Sequence, residues 1–157
     1  MAPKSLLRHP AAVSPIEALV TGRFRRVLPD VGAGDPARTR RVLLCSGKIY
    51  FALVEARAKR EAGDVAIVRL EQLYPMPEAE LRAALAPYPD GTPLVWVQEE
   101  PWNMGGWFFL ARHIPAPIRR RLPLSSVARP ESASPATGSP GSHEIEQGRL
   151  LAEAFGS

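Results

Sequence analysis

The sequence is poor in cysteine: Cys45 is the only one among 157 residues. One cysteine excludes an internal disulfide and any cysteine-based metal site within a single chain, and it fits a reducing compartment such as the cytoplasm. Long apolar runs are also missing. No stretch approaches the roughly 20 residues that a membrane helix needs, and the opening MAPKSLLRHPAAV is too broken by proline and charge to read as a secretory signal. Neither GxxxxGK[ST] nor GxGxxG occurs, so the strand-to-helix turn at CSGKIY lacks a phosphate-loop signature. No zinc spacing, RNP-like aromatic motif or helix-turn-helix is legible, which argues against nucleic acid as a partner. His9, His113 and His143 are too scattered to form a metal motif.

What is present is a chain of one-domain length with 45% hydrophobic residues and a formal charge of +4. The positive excess is clustered at Arg23–Arg26, Arg38–Arg41 and Arg119–Arg121, as solvated or interface surface with some capacity for phosphate. Prolines at 3, 10, 15, 29 and 36 make residues 1–39 an irregular tail and linker, apart from a short helix over 14–22 with Ser14 as its cap. The regular domain spans 40–157.

The pattern in that domain alternates. RVLLC (41–45) reads as a buried strand and the stretch from Lys48 to Gly63 as a helix. Residues 64–71 form a second strand and the segment after Pro77 a second helix. Residues 94–98 form a third strand, and a helix from Gly105 to about Ile114 is ended by Pro115 and Pro117. A late strand covers 124–129. The last helix ends the chain, with Ile145, Gly148, Leu151 and Phe155 on one face. Strands apolar on both faces alternating with helices predict a mostly parallel sheet covered by helices. Functional groups in such sheets gather beyond the strands' carboxyl ends, where Gly47, Glu71 and Glu99 fall. Ser46 is the expected helix cap at the first of these turns. Lys48, a cation in a first helical turn, calls for a carboxylate or a bound anion to offset the helix dipole. Cys45 reads as a core thiol. Glu71, Glu99 and Glu100 read either as an acid/base set or as ion-pair partners. RPESASPATGS (129–139) reads as an ordered crossing whose hydroxyls suit capping or anion binding.

Five stretches in one order carry a resemblance: MAPKSLLRHPAAVS, VLLCSGKIYFAL, VAIVRLEQLYPMP, VWVQEEPWNMGGWFF and RPESASPATGS. Together they resemble the C-terminal portion of the 2-oxoglutarate dehydrogenase E1 component and of its multifunctional decarboxylase relatives. The resemblance implies a three-layer α/β sandwich of the transketolase C-terminal type. It also implies that Met1 corresponds to an internal methionine, and that the domains holding thiamine diphosphate, magnesium and the catalytic residues precede this region. The complete enzyme would decarboxylate 2-oxoglutarate and pass the succinyl group to a lipoyl-bearing E2 partner. This region would serve structure and regulation, packing against the remaining E1 domains and across a homodimer, with no catalytic residue, cofactor or metal of its own. An acetyl-CoA or AMP effector would be bound through Lys48, Arg57, Gln98, Arg120 and Arg121. Glu99, Glu100, Trp102, Trp107 and Phe108 would belong to the interface. A stand-alone acyl-CoA- or nucleotide-binding α/β domain is the alternative expectation.

Overall fold

The computed structural model describes residues 4–156. Its centre is a five-stranded sheet in the order β1-β3-β2-β4-β5. These strands are β1 (Val27–Leu28), β2 (Arg41–Cys45), β3 (Val65–Leu70), β4 (Leu94–Pro101) and β5 (Leu124–Arg129). β2, β3, β4 and β5 are mutually parallel, while β1 pairs antiparallel with β3. The α-helices are α1 (Ile16–Val20), α2 (Ile49–Lys59), α3 (Glu78–Leu85), α4 (Trp107–His113), α5 (Ala116–Arg121) and α6 (Pro140–Phe155), with short 3-10 helices at Lys4–Leu6 and Pro36–Arg38.

Side chains alternate across each strand, so one strand feeds two cores. Val42, Leu44, Ala66, Val68, Leu94 and Trp96 face α3, α4 and α5, meeting Leu81, Leu110 and Ile118. Leu43, Cys45, Val65, Ile67, Val95 and Val97 face α2 and α6, meeting Leu53, Ala154 and Phe155. This is the expected three-layer sandwich, with the double-sided apolar strands explained by helices on both faces.

Several local expectations are corrected. Helix α2 stops at Lys59 rather than reaching Gly63, because Glu61 takes a left-handed φ of 52°. Ser46 caps nothing; Lys48 holds the N-cap position without a side-chain cap bond. Helix α1 has Pro15, not Ser14, at its N-cap. β4 continues past Gln98 to Pro101. Pro115 and Pro117 end α4 but also start α5, a helix absent from the sequence reading, since proline is tolerated in a first turn. In α6 the buried stripe is Leu150, Ala154 and Phe155, whereas Ile145 and Gly148 face solvent. Residues Val27–Leu28, within the segment read as linker, join the sheet as β1.

Asp30, just after β1, is the anchor of that segment. Its carboxylate accepts backbone N–H groups of Gly32 and Ala33 and meets Arg57 Nη1 at 2.9 Å. Arg57 also donates to the Val65 carbonyl, so linker, α2 and β3 are tied at the amino edge of the sheet.

Candidate functional site

Topology decides where a cleft must open. After β2 the chain turns to the face covered by α2; after its neighbour β4 it turns to the face covered by α4. Adjacent strands whose connections part to opposite faces leave a crevice at their carboxyl ends. A cleft of about 380 Å³ lies there, lined by Ser46, Gly47, Lys48 and Ile49 on one side and by Trp96, Gln98, Glu99, Glu100 and Gly106 on the other.

The two walls are built differently. On the β2 side, Gly47 turns with φ of 66°, a left-handed conformation that suits glycine. Its N–H donates to Glu71 Oε1 at 3.2 Å, and the same oxygen accepts from Arg69 Nε at 2.8 Å. The Arg69 guanidinium lies 4.4 Å from the Tyr50 ring centroid, a cation–π contact that fixes it over α2. On the β4 side, Gln98 is buried and uses both ends of its carboxamide. Oε1 accepts from Trp96 Nε1 at 2.8 Å and from Trp107 N at 3.1 Å. Nε2 donates to the carbonyls of Pro101 at 3.1 Å and Met104 at 2.7 Å. Gly105, with φ of 70°, is required beside it: a Cβ there would stand 2.8 Å from Gln98 Nε2.

Lys48 Nζ and Glu99 Oε1 join the walls at 2.7 Å. Glu99 is therefore the carboxylate that offsets the cation at the start of α2. Glu71 and Glu99 are each held by a cation rather than by one another, and Glu100 is exposed.

The structure gathers only part of the residues expected to bind an effector. Lys48 and Gln98 line the cleft. Arg57 is at the opposite edge and engaged with Asp30. Arg121 is also at that edge, donating to the carbonyls of Leu85 and Tyr88 at 2.6 Å, and Arg120 is exposed beside it. Of the expected interface set, Trp102 and Phe108 meet edge-to-face at 4.8 Å and remain exposed, while Trp107 is half-buried against the core. Asn103 binds Ser132 in both directions, holding the 129–139 crossing beside this turn, and Ser139 caps α6. Arg69 went unrecognised in the sequence. Its signal was a lone arginine in the otherwise apolar run VAIVRL.

The Cys45 thiol is buried beneath the cleft. Burial is the main reason its pKa is pushed up to about 12, with the Glu71 charge adding to the rise and Arg69 opposing it. Such a thiol is a core group and not a nucleophile. Among the described residues no three His, Cys, Asp or Glu side chains are grouped to hold a metal. Glu71 and Glu99 are engaged by Arg69 and Lys48.

A mostly parallel sheet between two helical layers, with its crevice at this switch point, defines an α/β domain of the transketolase C-terminal type. A split-gene transketolase, solved as an inactive beta4 tetramer, shares the fold with a TM-score of 0.55 and 16% identity over 85% of this chain and 42% of that one. The sequence model of the 2-oxoglutarate dehydrogenase C-terminal family matches residues 13–155, and the chain belongs to that family. It is 46% identical over 155 residues to a 2-oxoglutarate dehydrogenase E1 component of Cupriavidus necator and 43% identical to that of Haemophilus influenzae. It is also 40% identical to a multifunctional 2-oxoglutarate metabolism enzyme of Mycolicibacterium vanbaalenii. The matches cover 98–99% of this chain but only 16%, 17% and 13% of those relatives respectively.

Proposed function

We propose that this chain acts as the C-terminal structural and regulatory domain of a 2-oxoglutarate dehydrogenase E1 component in the cytoplasm. The observation that carries the reading is 46% identity over essentially the whole chain to an enzyme of that name. The complete enzyme decarboxylates 2-oxoglutarate and hands the succinyl group to the lipoyl group of an E2 partner. Thiamine diphosphate with magnesium supplies the electron sink for that step, and in this reading it is held by other parts of the enzyme. This domain contributes rigid walls, excluded water and contact surface. Glu99, Glu100, Trp102, Trp107 and Phe108 form part of the surface it offers to the remaining domains and across a homodimer. A stand-alone effector-binding domain draws no support from the relatives, all of which are much longer.

Regulation by a phosphate-bearing effector such as acetyl-CoA or AMP centres, in this reading, on the cleft at Lys48, whose wall Gln98 shapes with a carboxamide already engaged at both ends. Arg57 and Arg121 serve the fold instead, because their donors already have acceptors. Arg120 is free to reach an effector only at the amino edge.

DNA sequence upstream of this reading frame gives a simple test. An in-frame thiamine-diphosphate-binding region, in the same or an adjacent gene, is the expected result. Its absence throughout the genome would remove the reading's basis.

A further inference from the structure

Residues 13–26 are exposed at every position. Within them Ile16, Leu19 and Val20 recur at helical spacing on α1, with Val13 one turn earlier, so they form an apolar stripe. Their side of the helix covers nothing: Ile16 is 70%, Leu19 78% and Val20 76% exposed, and α1 has no buried residue. A five-residue helix is far too short to be stable in water alone and draws its stability from tertiary packing. The arm leading to it runs beside α2: Leu6, Leu7 and residues 11–14 line a cavity together with Tyr50, Phe51 and Arg69, and the His9 ring lies tilted with its centroid 5.2 Å from that of Phe51. Beyond the arm, α1 buries none of its own residues against the domain. Phe24 continues the exposed apolar surface, and Arg23 and Arg25 flank it without an ion-pair partner among the described residues. Arg26 is paired with Glu80.

We infer that the α1 stripe is a docking surface for the larger, preceding portion of the E1 enzyme, which presents an apolar patch rimmed by carboxylates. Two observations select this occupant over a free surface. The stripe lies inside the matched C-terminal family region, and more than four-fifths of each relative's length lies outside the part this chain matches. The unpaired arginines beside Phe24 set the charge of the partner's rim. The inference rests on the E1 reading and adds to it which element makes the contact and what chemistry faces it.

The test measures binding of this chain to the separately produced remainder of the enzyme by sedimentation. The variants are Ile16→Glu with Leu19→Glu, Arg23→Glu with Arg25→Glu, and Ile145→Glu on exposed α6 as the control. All substituted side chains are solvent-facing, so unchanged melting temperature and circular dichroism confirm that the variants fold. The expected result is tenfold or greater weakening by the α1 pair, a smaller and salt-sensitive loss with the arginine pair, and no change with the control. Wild-type affinity in the α1 variant overturns the inference while leaving the E1 reading standing. Absence of any binding by the wild type overturns the E1 reading and the inference with it. Self-association of the wild type that the α1 variant abolishes would assign the stripe to a second copy and also overturns the inference.

Discussion

Asp30 and Arg57 form an ion pair at 2.9 Å whose side chains are 3% and 9% exposed. Removing one partner strands the other charge in the interior. Arg57→Ala should therefore destabilise the domain by about 3–5 kcal/mol, seen as a lowered denaturant midpoint. Any loss of effector binding in that variant should follow the loss of fold. A variant that kept wild-type stability yet lost effector binding would return Arg57 to the binding surface.

Gln98 and Gly105 should behave as one unit. Gly105→Ala places a methyl against the Gln98 carboxamide and forces an L-residue into a left-handed turn, for a cost of about 2 kcal/mol. Gln98→Glu removes the donors to Pro101 and Met104 and buries a charge, so it should cost at least as much. Thermal melts of the single and double variants would show the coupling as non-additivity.

Lys48 and Glu99 are a partly exposed pair, a geometry worth about 0–1 kcal/mol. Lys48→Ala should leave the melting temperature within a few degrees of wild type. If the cleft receives a phosphate-bearing effector, the same substitution in the complete enzyme should weaken acetyl-CoA or AMP binding about tenfold by calorimetry. Glu99→Gln should strengthen it, because Lys48 is released.

Alkaline pH should destabilise the fold. Cys45 and Tyr88 ordinarily titrate at 9.0 and 10.0, and both are pushed up to about 12, in each case chiefly by burial. Between pH 9 and 12 the unfolded chain releases these protons while the folded chain retains them, so the unfolded state gains and stability falls as pH rises. Urea midpoints measured from pH 8 to 11 should decline, less so in Cys45→Ala once its own cost is subtracted. In the native protein at pH 8, Cys45 should resist thiol reagents.

The elements that the sequence revealed were those with strong period or composition. β2 at 41–45 and β5 at 124–129 have the boundaries that their apolar runs suggest. β1 was invisible because two residues carry no period and its pairing depends on β3, some forty positions away. The face of α6 was misjudged because Leu150 and Leu151 are adjacent, and the helix rotation that buries one over the other is set by packing on the sheet. At the site, Lys48 and the strand-end glutamates could be read from their positions at strand ends. The Gln98 hub could not, since it exists only once Gly105 folds the β4–α4 turn back over the strand. The Asp30 anchor of Arg57 was hidden for a similar reason, with 27 residues between the partners.

The central claim is that this chain supplies architecture and regulation to a 2-oxoglutarate dehydrogenase E1 and no catalytic centre. It is tested most directly by assaying 2-oxoglutarate decarboxylation, with thiamine diphosphate and magnesium present, for the chain alone, for the remainder of the enzyme alone, and for the two mixed. The account predicts no turnover by the chain alone and a gain in activity when it is added to the remainder. Turnover by the chain alone would contradict it.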